Sequence, residues 1–85
     1  RIEDGDYVIV DSEDKSVDTG DVVLAIIDSK ATIKRFIDDR ANGQIVLIAD
    51  SSYDYAPIHL HPSDDFNISG KVVGVIKKPS RGEHD

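Results

Sequence analysis

Apolar positions come in short runs rich in β-branched residues, separated by polar breaks, and they never hold helical spacing over three turns. The runs are Tyr7-Val8-Ile9-Val10, Val22-Val23-Leu24-Ala25-Ile26-Ile27, Ala31-Thr32-Ile33-Lys34-Arg35-Phe36-Ile37 and Gln44-Ile45-Val46-Leu47-Ile48-Ala49. Tyr55-Ala56-Pro57-Ile58-His59-Leu60 reads as a short extended segment. Phe66-Asn67-Ile68 leads through Ser69-Gly70 into a last strand, Lys71-Val72-Val73-Gly74-Val75-Ile76. Pro57 lacks a backbone donor and suits an edge or irregular strand. Gly-Asp pairs at 5–6 and 20–21 launch the first two runs, and polar stretches at 11–19, 38–43, 50–54 and 61–65 read as loops. The pattern predicts six or so strands, no long helix, and a mostly β domain of barrel or sandwich type.

Residues 22–37 form the clearest unit, two apolar arms around the break Asp28-Ser29-Lys30, which is a hairpin signature. Alternation along the second arm puts Thr32, Lys34 and Phe36 on one face and Ile33, Arg35 and Ile37 on the other. The ordinary strand lysine points to water. If the face holding Phe36 is the buried one, Lys34 sits among apolar groups, where a lysine can become a base. A free amine titrates near ~10.4, so holding one neutral at pH 7 takes ~4 kcal/mol of destabilisation of its charged form, which burial can supply. A neutral lysine can take the proton of a serine hydroxyl.

Composition narrows the classes. At 85 residues the chain fits one small domain with a modest core. Seventeen acids against ten bases give a net charge of −7, which argues against a grip on nucleic acid or an anionic membrane. There is no cysteine, hence no disulfide or thiolate site, a usage compatible with a reducing compartment. No run is long enough to span a membrane. The chain opens on Arg1 and is already patterned at Ile2, so it reads as a fragment of something longer, with 79–85 a flexible tail.

Other candidates have plain readings. The acids between Asp11 and Asp21 fail the calcium-loop pattern, with Ser16 where a glycine is required. His59 and His61 form a His-x-His pair, but zinc needs further ligands and His84 lies in the tail. Asn67-Ile68-Ser69 matches a glycosylation sequon, which matters only in a secretory context. No phosphate loop or dinucleotide fingerprint occurs, and no metal or cofactor is expected. None of the serines sits in a Gly-x-Ser-x-Gly elbow.

Four stretches, Asp4-Gly5-Asp6-Tyr7-Val8-Ile9-Val10, Gly20-Asp21-Val22-Val23-Leu24-Ala25, Ala31-Thr32-Ile33-Lys34-Arg35-Phe36 and Gly70-Lys71-Val72-Val73-Gly74-Val75-Ile76, resemble in order the C-terminal domain of LexA-like repressors, also found in CI-type phage repressors and UmuD-type mutagenesis proteins. The resemblance implies a LexA/signal-peptidase-like irregular β fold over residues 1–78. It implies a serine peptidase that cleaves its own chain by a Ser-Lys dyad. Lys34 matches the general base, and the nucleophilic serine falls upstream of Arg1, with the cleavage site, so this piece alone is expected to be inactive. The resemblance further implies a cytoplasmic transcriptional repressor of the SOS type. Such a repressor is a homodimer pairing in part through Gly70 to Ile76, binds operator DNA through a separate N-terminal domain, and is cleaved with the help of a RecA filament. A UmuD-like protein, or a non-catalytic interaction module of the same fold, are the alternatives. Many family members carry Pro-Glu-Asn after the strand that follows the hairpin. Here Leu47-Ile48 continues into Ala49-Asp50-Ser51, a departure that leaves the subfamily open.

Overall fold

The computed structural model describes residues 2–14, 16–50 and 55–79. The fold is mostly β, as the pattern predicts. Six strands, β1 (Tyr7–Asp11), β2 (Val22–Ile27), β3 (Lys30–Asp39), β4 (Gln44–Ile48), β5 (Ile58–Leu60) and β6 (Phe66–Ile76), form one antiparallel sheet in the order β1-β6-β2-β3-β4-β5. Its irregularity lies in register shifts between Ile9 and Val10 and between Leu24 and Ala25. A 3-10 turn, Arg40–Asn42, joins β3 to β4 and ends at Gly43, whose φ of 77° favours glycine.

The β2–β3 turn is tighter than the sequence suggests. Only Asp28 and Ser29 form it, both with positive φ (50° and 69°), as a two-residue hairpin turn requires, and Lys30 already belongs to β3. The register pairs Val23 with Lys34 and Ala25 with Thr32. On the other side of β3, Phe36 pairs with Leu47, and Leu47 with Ile58. Val23, Ala25, Phe36, Leu47 and Leu60 form the buried core, backed by Val17, Ile27, Ile45, Ile58, Phe66 and Ile68. All the strand residues of this set lie on one face. Among the described residues no helix or second sheet covers it; Val17, from the loop after β1, packs against it.

Two features position the rest. First, β6 changes partner along its length: Phe66 to Lys71 pair with β2, and Lys71 to Ile76 with β1. Ser69-Gly70 does not end the strand: β6 runs on through it, and the interruption is local, with Ser69 skipped in the register with β2. Gly70 is there for clearance, since a side-chain carbon would stand 2.7 Å from the carbonyl oxygen of Asp11 and 2.6 Å from Cγ1 of Val10. Second, residues 2–6 run along one rim of the sheet. The N–H of Ile2 donates to the carbonyl of Asp50 (2.6 Å). At the other end the Asp6 carboxylate accepts from the N–H groups of Glu3 (2.9 Å) and Lys78 (3.1 Å) and from the Lys77 ammonium. The chain start is thereby pinned both to the exit of β4 and to the exit of β6. Of the tail expected at 79–85, residues 80–85 lie outside the described residues.

Candidate active site

Lys34 lies on the inner face of β3, in line with Thr32 and Phe36 and opposite the fully buried Val23. Phe36 is buried and Lys34 half-buried, so Lys34 stands at the margin of the core rather than inside it. There it opens into a cleft of about 240 Å³ lined by Ile2, Glu3, Asp4, Ile33, Lys34, Ala49, Asp50 and Tyr55. Three of those residues belong to the rim segment at the start of the chain, so the amine and the chain start share one cavity.

The cleft wall is braced from behind. Arg35 points to the opposite face from Lys34, and its guanidinium donates to the Asp50 carboxylate (2.6 Å) and to the carbonyl of Gly20. Asp50 thus holds the rim segment through its carbonyl and β3 through its side chain. With its carboxylate engaged by Arg35, it leaves the Lys34 amine to other contacts. Among the described residues Lys34 joins no ion pair. Its Nζ stands 5.4 Å from the ring centroid of Tyr55, within cation–π range. Tyr55 and the Arg35–Asp50 brace carried no signal in the sequence, because each depends on segments that are distant along the chain.

The remaining polar clusters are structural. The Asp6 side chain is 1% exposed, and the Lys77 ammonium and the two N–H donors hold its carboxyl well below the usual carboxylate range. Lys71 is held between Asp14 (3.5 Å) and Asp21 (3.4 Å). Burial works against its charge, but the two carboxylates outweigh it and raise its pKa. The loop acids cap their own backbone: Asp11 accepts from the N–H groups of Glu13 and Asp14, Asp14 from Ser16, and Asp21 from Asp18. Asp39 accepts from Gln44 (2.6 Å) and Asn42 (2.8 Å), which lower its pKa. His59 and His61 turn to different partners, Gln44 Oε1 (3.1 Å) and Ser63 Oγ (2.8 Å). Among the described residues no three histidines or acids gather as a metal would need.

No serine lines the cleft among the described residues; Ser51, Ser52 and Ser80 lie outside them. No described helix is long and apolar enough to cross a membrane.

Comparison with known proteins gives the same family from two directions. The family model described as Peptidase S24-like matches residues 1–73. Over 75 residues, 88% of this chain, the sequence is 45% identical to the LexA repressor of Mycobacterium leprae (strain Br4923) and 44% identical to that of Mycobacterium ulcerans (strain Agy99). The LexA repressor of Mycobacterium tuberculosis (strain CDC 1551 / Oshkosh) is 43% identical over the same length. The matched region is 28–29% of the length of these relatives.

Proposed function

This chain belongs to the peptidase S24-like family, and from that premise we propose that residues 1–78 are the C-terminal regulatory and dimerisation domain of a LexA-like repressor. In this reading residues 79–85 are a tail, and the parent is a cytoplasmic protein that cleaves its own chain with a Ser-Lys dyad. The observation that carries the reading is the shared cavity: the amine of Lys34 opens into a cleft whose lip is Ile2, Glu3 and Asp4. A serine a few residues before Arg1 would enter that cavity from its lip. Neutral Lys34 takes the proton of the serine hydroxyl as the oxygen attacks the scissile carbonyl carbon, and the carbonyl electron pair moves onto its oxygen. The resulting ammonium then gives its proton to the departing amide nitrogen as the C–N bond breaks, leaving an ester that water hydrolyses.

The repressor role rests on the names of the relatives, which favour it over a UmuD-like role. This domain spans under a third of their length, which leaves room for a separate DNA-binding module. The net charge of −7 suits a domain that does not itself touch DNA. A RecA filament would promote cleavage, as in the family. Dimerisation through Gly70 to Ile76 is supported by the partner change of β6: among the described residues, positions 72 and 74–76 pair with β1 on one edge, Val73 being skipped in the register, and with no strand on the other. Val73 is 60% exposed and Ile76 55%, so an open edge and an apolar surface coincide.

The test is the parent protein at alkaline pH, where a lysine amine is unprotonated. It should cleave itself with first-order kinetics independent of concentration, and Lys34→Ala should stop it. Cleavage that survives Lys34→Ala would reject the dyad.

A further inference from the structure

We propose that Tyr55 is a positioning residue for the self-cleavage reaction, holding the Lys34 amine over the cleft and stabilising the charge that arrives on it. The inference rests on the peptidase reading above and adds a residue to it. Its basis is geometric. The Tyr55 ring lines the same cleft as Lys34, with its centroid 5.4 Å from Nζ. Among the described residues Lys34 has no carboxylate partner. The charged groups around it are Glu3 and Asp4 on the rim segment, Asp50, which is paired with Arg35, and Lys71 across Val23, which is paired with Asp14 and Asp21.

The consequence follows from the proton's path. Before the reaction the working amine is neutral; once it has taken the serine proton it is a cation. An aromatic face attracts the cation and is nearly indifferent to the neutral amine. The contact therefore strengthens as the proton arrives, and only such strengthening accelerates a chemical step. A carboxylate in the same place would form an ion pair and keep the amine charged from the outset; the ring exerts a weaker hold.

This gives a signature in the pH profile that loss of packing does not share. At low pH the amine is a cation both before the reaction and in the transition state, so the effect of the ring cancels. On the alkaline plateau the amine starts neutral, and the ring counts in full. In the parent protein, Tyr55→Leu should lower the plateau rate by about two- to fivefold, the size of an exposed cation–π contact. Its low-pH limb should overlay that of the wild type, and the midpoint of the rise should move to lower pH by the logarithm of the same factor. Tyr55→Phe, which keeps the ring, should reproduce the wild-type profile. A second readout does not depend on cleavage: the ε-methylene protons of Lys34 should show a ring-current upfield shift that Tyr55→Leu removes and Tyr55→Phe keeps. Equal slowing on both limbs, a wild-type plateau in Tyr55→Leu, or failure of Tyr55→Phe would each overturn the positioning role while leaving the dyad standing. A wild-type parent that never cleaves would remove the peptidase reading, and this inference with it.

Discussion

A methyl group at Gly70 is the sharpest test of the packing described above. The substitution Gly70→Ala places a carbon 2.7 Å from the Asp11 carbonyl oxygen, 2.6 Å from Val10 Cγ1 and 3.1 Å from the Cα of Ser12. Two of those atoms are backbone, one on the last residue of β1, which the ladder ties to β6, and one on the residue after it, so neither can swing aside as a side chain could. Overpacking typically costs ~1–3 kcal/mol, and a clash with fixed backbone belongs in the upper part, roughly 2–3 kcal/mol. At ~4–8 °C per kcal/mol for a domain of this size, the melting temperature should fall by about 10–20 °C. Gly74→Ala is the internal control. It lies on the same strand, but the three atoms nearest its new carbon all belong to the Ile9 side chain: Cδ1 at 3.2 Å, the end that can rotate away, and Cβ and Cγ1 at the ordinary contact distances of 3.7 and 3.8 Å. It should change stability by no more than ~1 kcal/mol in either direction, because relief of backbone entropy in the unfolded chain offsets the contact. Urea denaturation followed by far-UV circular dichroism reads both variants; the chain has no tryptophan to serve as a probe. Equal stabilities for the two variants, or a Gly70→Ala protein within ~0.5 kcal/mol of the wild type, would refute the close approach of β1 to β6.

Three further outcomes are expected. Leu47→Ala removes a fully buried side chain from the centre of the core and should cost ~2–5 kcal/mol, seen as a lower urea midpoint at unchanged slope. The pKa of Asp6 is lowered on folding, so its contribution to stability is present above the unfolded carboxylate pKa and is lost as pH falls toward the folded value. Asp6→Asn should therefore destabilise the protein at neutral pH and flatten the acid limb of melting temperature against pH; an unchanged acid limb would mean that Asp6 is not held as described. Ile76→Asp, which puts a charge on the open stretch of β6, should shift the protein toward monomer in sedimentation velocity without lowering its melting temperature.

Much of the fold was legible because period-2 alternation and turn residues act locally. The hairpin and the grouping of Lys34 with Thr32 and Phe36 follow from residues 22–37 alone, but which of its two faces turns inward does not, because Ile33 and Ile37 make the other face apolar too. What failed did so where glycine or polar residues serve distant neighbours. Ser69-Gly70 reads as punctuation, yet Gly70 exists to admit β1, a strand some sixty residues earlier in the chain. The first contact of the loop at 38–43 is with Thr19, whose hydroxyl accepts from the N–H of Asp38 (2.8 Å) and helps carry β3 on to Asp39. The histidines at 59 and 61 look like a pair only on an unbroken strand; β5 ends at Leu60, and each ring turns to a separate neighbour. At the site, periodicity could group Lys34 with Phe36 but could not choose the buried face, nor supply Tyr55 or the brace from Arg35 to Asp50.

The pinning of residues 2–6 has a practical consequence for anyone labelling this protein. Polypeptide arrives and departs along the same rim, with Asp6 beside Lys78. The Asp28–Ser29 turn sits next to Asp65 at the far end of β6, roughly 35 Å away along eleven extended residues. A bulky label placed near Asp6 or Lys78 would crowd that rim and the open stretch of β6, whereas a dye or affinity handle grafted into the Asp28–Ser29 turn would leave both unobstructed.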